Sequence, residues 1–354
     1  MAAWVTTPLG EVLPLKYGRN LPERARSRTG EFDVISSAGF IDSHNEALTK
    51  GPAVVLGRKG TVGSVFYARR PSFPIDTTFY VEGSRAIEIR FAYYLLLGLP
   101  LRGMNSDSAV PGLNRVEVEA ITVKIPSITE QRAIAATLGA LDDKIESNRR
   151  VQSLIWALLA VEHEALIRGS STAQLGDLLH LSYGKSLPAA KRVPGPFAVY
   201  GSGGVVGSHH EALVKGPAVI VGRKGSAGTV HWSYNDCFPI DTTFLVETKA
   251  GIPLLSAYFV LRSAGLESLN SDSAVPGLNR EAAHAAPVRA PNETTARDWS
   301  ERRLPLLNRA ASAMREANVL MELRDALLPQ LLSGRIRVSE ARETVASTLD
   351  SKDA

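Results

Sequence analysis

The feature that most constrains this chain is that its sequence is written twice. Glu46-Ala-Leu-Thr-Lys-Gly-Pro-Ala-Val-Val-Leu-Gly-Arg-Lys-Gly60 returns 165 residues later as Glu211-Ala-Leu-Val-Lys-Gly-Pro-Ala-Val-Ile-Val-Gly-Arg-Lys-Gly225. At the same displacement Phe73-Pro-Ile-Asp-Thr-Thr-Phe79 returns unchanged as Phe238 to Phe244, and Asn105-Ser-Asp-Ser-Ala-Val-Pro-Gly-Leu-Asn-Arg115 as Asn270 to Arg280. Leu9-Gly10-Glu11 answers to Leu175-Gly176-Asp177 at 166, so one residue is gained or lost in between. A period this long means two whole domains rather than a solenoid.

Each copy has the same order of parts. Short apolar runs bounded by Gly and Pro, such as Ala53 to Leu56 and Ala218 to Val221, read as strands. A short apolar helix is expected over Phe91 to Leu97 and over Leu254 to Leu261. The Asn-Ser-Asp-Ser-Ala-Val-Pro-Gly loop follows, and in the first copy a further strand over Ala120 to Ile125. A long helix closes each copy. The first opens at Pro126-Ser127, with Ser127 and Glu130 at capping-box spacing, and Gly169 ends it. Ile134, Leu138, Leu141 and Ile145 step by four and three, and the seam continues through Asn148, Gln152, Ile155 and Leu159. In the second helix Leu307, Ala311, Met314, Asn318 and Met321 step likewise, beside a second stripe of Leu320, Leu323, Leu327 and Leu331 that runs to Gly334. Pro305 suggests that its stable part starts near there. Asn148 and Asn318 are expected in a helix-pair seam, setting its register. The alternative is two amphipathic helices, each packed on its own domain.

Composition narrows the class. No apolar run approaches the length of a membrane span, and the start has no basic segment followed by an apolar one, so neither a signal peptide nor a membrane location is expected. Cys237 is the only cysteine, which excludes an internal disulfide and argues against a cysteine-built zinc site; the expected compartment is the cytoplasm. A net charge of +4 decides little by itself. Locally, Lys16, Arg19, Arg24, Arg26 and Arg28 face only Glu23 among acidic residues, with a weaker counterpart in Lys185, Lys191 and Arg192.

The duplicated loop Gly57-Arg58-Lys59-Gly60-Thr61-Val62-Gly63 and its copy Gly222 to Gly228 follow buried strands. Three glycines permit close backbone approach, and two cations with a hydroxyl residue (Thr61, Ser226) suit phosphate oxygens. A P-loop would need Gly-Lys followed by Ser or Thr after a four-residue spacer, which is not present. Ser36, Ser37 and His44 in one copy, and Ser202, His209 and His210 in the other, lie in loops whose small polar residues and imidazoles suit base edges. The candidate DNA contacts are therefore Lys16, Arg19, Arg24, Ser36, Ser37, His44, Arg58, Lys59, Thr61, Lys185, Ser202, His209, His210, Arg223, Lys224 and Ser226. No metal site is expected, because no carboxylate-His or Cys-His spacing surrounds the histidines. Asp76 and Asp241, each before two threonines, read as turn or strand-end caps rather than catalytic acids. No Ser-His-Asp set, Walker motif, methyltransferase motif or nuclease signature is seen, so no catalytic residue is expected.

Taken together, the chain resembles the specificity subunits of type I restriction-modification systems. The resemblance rests on the Gly57-Arg58-Lys59-Gly60 loop, Ser108 to Asn114, Ile125-Pro126 followed by Glu130-Gln131-Arg132-Ala133-Ile134, Leu141-Asp142-Asp143-Lys144-Ile145, and Leu323 to Gly334. It implies an α+β class: two similar mixed α/β target-recognition domains separated by two long helices that form an antiparallel coiled coil, pseudo-two-fold symmetric. The expected divisions are 1–126 and 170–291 for the recognition domains, 127–169 and 292–337 for the helices, and 338–354 for a flexible tail. The resemblance further implies a non-catalytic subunit that binds double-stranded DNA at a bipartite, nearly palindromic site. It implies two modification (methyltransferase) subunits and restriction/translocase subunits as partners. S-adenosylmethionine, Mg2+ and ATP would belong to those partners and none to this chain; the modified base would be adenine. A helix of about 50 Å from Ile134 onward places half-site centres on the order of 10 to 14 base pairs apart. The second copy departs from the pattern, with Thr295-Ala296-Arg297 where the first has Glu130-Gln131-Arg132. Competing readings are a helical adaptor without DNA readout, a methylation-only system, and an enzyme with fused recognition, for which the repeats leave no room.

Overall fold

The computed structural model describes residues 4–104, 112–249, 251–269 and 277–353. It divides into two compact units, Met1–Ser147 with Glu316–Ala354, and Asn148–Arg315, so each long helix contributes to both rather than standing apart as a spacer. The repeated Asn-Ser-Asp-Ser-Ala-Val-Pro segments lie outside the described residues.

Both units are built alike. In the first, a four-stranded antiparallel sheet has the order Lys16–Tyr17, Thr78–Glu82, Ala53–Gly57, Val65–Ala68. A three-stranded sheet sets Phe32–Ser36 between Gly39–His44 (antiparallel) and Ser72–Pro74 (parallel). Val5–Pro8 pairs with Thr122–Ile125. The second unit repeats this order with Leu179–Tyr183, Thr243–Thr248, Ala218–Gly222 and Val230–Ser233, then Gly204–His209, Phe197–Gly201 and Cys237–Pro239, then Thr172–Gln174 with Pro287–Arg289.

The continuous apolar runs are explained by burial on both faces of a strand. Val54 and Leu56 point into the main core against the helix Ile89–Leu97, while Val55 packs with Ile35, Ala68 and Tyr80. In the copy Val219 and Val221 face the main core, and Ile220 packs with Tyr200 and Cys237.

The first long helix runs Ile128–Leu166; Ser127 Oγ accepts the Glu130 N–H at 3.3 Å, and Gly169 follows its end with φ +80°. Ile134, Leu138, Leu141 and Ile145 are buried in the first unit with Ala317, Leu320, Leu323, Leu327 and Leu331 of the helix Glu293–Leu332. Within that unit the segments run in opposite directions, since Lys144 meets Glu316, Asp142 meets Arg324 and Glu130 meets Arg337. In the second unit Ile155 and Leu159 pack with Trp299, Leu307 and Ala310, and Glu162 takes two bonds from Arg303.

Three expectations need correction. The second long helix begins at Glu293, not near Pro305: Asn292 Oδ1 accepts the Thr295 N–H at 2.9 Å, and buried Ala296 and Trp299 hold the turns ahead of the proline. Tertiary packing there outweighs a residue whose missing N–H costs about 3 kcal/mol in a helix interior. The tail is a helix, Val338–Asp353, anchored by fully buried Ala341 and by Arg342 donating to Thr137 Oγ1. Asn318 is exposed, because the buried stripe moves from Leu307 through Ala310, Ala313 and Ala317 to Leu320; Asn148 is 1% exposed, and its Nδ2 has no partner among the described residues.

Candidate nucleic-acid interface

The two cationic loops are held by matching backbone bonds. Arg58 and Lys59 both donate their N–H groups to Thr77 O, at 2.9 and 3.1 Å; Arg223 and Lys224 donate to Thr242 O, at 2.8 and 3.2 Å. Gly63 N–H closes the loop onto Gly57 O, and Gly228 N–H onto Gly222 O. A second strand of chain is laid beside each loop, with Leu113 N–H donating to Arg58 O and Leu278 N–H to Arg223 O. Asn114 and Asn279 then cap the short helices Arg115–Glu119 and Arg280–His284, which fixes Arg115 and Arg280 at the first helical position.

This framing gathers two guanidinium groups on one tyrosine. Arg58 and Arg115 each lie 5.4 Å from the Tyr17 ring centre; Arg223 and Arg280 lie 5.0 and 5.2 Å from that of Tyr183. Both tyrosines are about half exposed, at 52% and 55%. In the second unit Tyr183, Arg223, Lys224 and Arg280 line one open pocket of about 340 Å3. Acidic neighbours are present too: Glu119 is 3.7 Å from Arg115, and Glu281, 3.2 Å from Arg280, lines the same pocket. The ring face attracts each cation and fixes its place, and adjacent cations are relieved by an anion such as a phosphate oxygen.

The other sequence candidates divide by burial. Lys59, Thr61, His210, Lys224, Ser226, Lys185, Arg19 and Arg24 are exposed. Lys16 is exposed too, but pairs with Glu82 at 2.9 Å, a hydrogen bond that raises its pKa. Ser36, Ser37 and Ser202 are buried. Ser36 Oγ accepts the Ala38 N–H, Ser37 O accepts Ser64 Oγ, and Ser202 Oγ donates to Thr242 O. His44 packs edge-on to Phe73, as His209 does to Phe238; His209 is 5% exposed, and its Nδ1 accepts the Val193 N–H. Ser36, Ser37, Ser202 and His209 hold the loops from inside, so their side chains do not face a groove. His209, His210 and Glu211 bring possible ligand atoms within 4.8 Å of one another; His209 Nδ1 accepts the Val193 N–H, and the first copy has His44-Asn45-Glu46 at the matching positions.

Residues 1–155 match the family model described as the type I restriction modification DNA specificity domain. They form a type I specificity domain. Two curated relatives from Escherichia coli align at 25% identity over 174 residues (the type I restriction enzyme EcoDI specificity subunit) and at 26% over 140 residues (the EcoprrI specificity subunit). Those alignments take in 49% and 38% of this chain, but only 38% and 35% of the relatives' own length. The crystal structure of the type I restriction-modification system S subunit from M. genitalium aligns over 93% of this chain and 96% of that one, with a TM-score of 0.67. At 18% identity that likeness is one of fold. By repeat and by topology, the second unit is a second copy of the same fold. Among the described residues no helix is long and apolar enough to cross a membrane.

Reading the specificity domain from sequence missed Tyr17, Tyr183, Arg115 and Arg280. A signal was present: all four persist between the copies, while the stretch after Tyr17 diverges from Lys16-Tyr-Gly-Arg-Asn20 to Ser182-Tyr-Gly-Lys-Ser186.

Proposed function

We propose that this chain is the DNA-reading subunit of a type I restriction-modification complex, gripping duplex DNA through one cationic cluster per copy. The observation that carries the reading is the Arg–Tyr–Arg cluster beside an exposed lysine, built twice with distances that agree within 0.4 Å. Phosphates are the same in every sequence, so contacts that position rather than specify are the ones two diverging copies keep. Similar copies read similar half-sites of one interrupted site. Leu154, Leu158 and Val161, exposed on one face of the first long helix, suit docking of methyltransferase subunits. Chemistry, whether adenine methylation alone or cleavage as well, belongs to those partners and to restriction subunits, with their S-adenosylmethionine, Mg2+ and ATP. The test is binding of the purified chain to duplex DNA across a salt series. Affinity falling steeply with salt, with a slope reduced by about one for each cation removed from the cluster, supports the reading. Salt-independent or absent DNA binding, with partner binding retained, would instead make the chain a helical adaptor.

A further inference from the structure

Beside each cationic loop lies a pocket, about 510 Å3 in the first unit and 580 Å3 in the second. The two are framed identically. Gly63 and Gly228 take left-handed backbone, φ +74° and +85°, and press each loop onto a short turn. A Cβ on Gly63 would lie 2.6 Å from Arg102 N, and one on Gly228 2.5 Å from Glu267 N, so only glycine permits this approach. Buried Leu101 and Leu266 anchor the turns, and Val65 and Val230 occupy matching wall positions.

On this constant frame the exposed rim changes its charge pattern, with Arg102 the cation of the first pocket and Arg262 beside Glu267 in the second. Arg102 in the first copy is Glu267 in the second. The inner wall changes with it, from Phe66 to His231, whose Nε2 lies 2.9 Å from Ser202 O. The cluster residues are unchanged between copies while this position inverts, which separates positioning from reading.

We propose that these pockets are base-reading subsites that give the two half-sites different bases. Arg102 takes the O6 and N7 acceptors of guanine, and Glu267 accepts from the N4 amino group of cytosine. The proposal rests on the DNA-reading function proposed above. To test it, the chain is expressed with its methyltransferase partner as wild type, Arg102→Gln and Glu267→Gln, and every methylated site in the host genome is sequenced. Both substitutions are at exposed positions, and unchanged melting temperatures establish that the variants fold. Arg102→Gln should reduce discrimination at one base pair of one half-site roughly 5- to 150-fold, the equivalent of about 1–3 kcal/mol. Glu267→Gln should do so in the other half-site alone. An unchanged motif in both active variants, or a uniform loss across all sequences, would overturn the base-reading assignment and leave DNA recognition standing. A wild-type complex that methylates without any sequence motif would overturn DNA recognition itself.

Discussion

At one place the two copies solve the same problem with different chemistry. In the first, the Leu15 N–H donates to the Glu119 carboxylate at 2.8 Å; in the second, the Leu181 N–H donates to the His284 ring at 3.1 Å. Burial and the neighbouring His180 lower the His284 pKa, and the ring must be neutral to accept. The difference extends across the molecule. Of seven histidines only His44 lies in the first unit, while His163 sits in the core of the second, 2% exposed and stacked on Phe259. One topology is thus carried by two electrostatic interiors, and acidity should distinguish them.

The largest effect expected is acid opening of the second unit. Burial lowers the His163 pKa to about 4, so below the usual imidazole value near 6.5 the unfolded chain takes up a proton that the folded one refuses. Stability is full above that value and is lost as pH falls from there to about 4, by about 3 kcal/mol. Trp156, Trp232 and Trp299 lie in the second unit and only Trp4 in the first, so tryptophan fluorescence melts at stepped pH in a Trp4→Phe background follow the second unit. His163→Leu should remove most of the dependence; simultaneous loss of both units in wild type would break the contrast.

Next in size is the cluster. Arg58→Ala with Arg115→Ala, and Arg223→Ala with Arg280→Ala, should each weaken DNA binding on the order of 10-fold or more and lower the salt slope by about two. Equal losses sharpen the view of two equivalent grips, while loss from one copy only contradicts it.

A smaller effect is expected in the helices. Asn148→Leu removes a buried side chain whose Nδ2 has no partner among the described residues and should raise stability by about 1 kcal/mol, whereas Asn318→Leu, at an exposed site, should stay within about 0.5 kcal/mol. Chemical denaturation of the two variants checks this. The smallest concerns the matched hydrogen bond: His284→Glu should remove a minor part of the acid sensitivity without altering stability at neutral pH by more than about 1 kcal/mol, read from the same melts.

What was legible in the sequence follows from which forces are local. The strand at Ala53, the Ser127 cap and the seam from Ile134 to Leu159 rest on period, spacing and neighbours, so the residues carry them openly. Pro305 misled because packing by Ala296 and Trp299 lies outside any local rule, and the last helix was missed because its short apolar side chains acquire a partner surface only in three dimensions. In the second helix two stripes competed, and buried alanines at 310, 313 and 317 joined them by a path that placed Asn318 outside. At the interface, exposed cations were legible, but small polar residues are equally suited to base edges and to loop interiors. Only burial assigns Ser36, Ser37, Ser202 and His209 to the interior. Tyr17 escaped notice because its role depends on Arg115, far along the chain.

The most direct test of the central claim, that two copies hold DNA alike and read it as separate halves, is the methylation motif of the wild-type complex with its methyltransferase partner. Sequencing of modified bases should return one interrupted motif whose half-sites are related but unequal, differing where Arg102 and Glu267 read. A continuous motif with no spacer, or two half-sites sharing no bases, would contradict it.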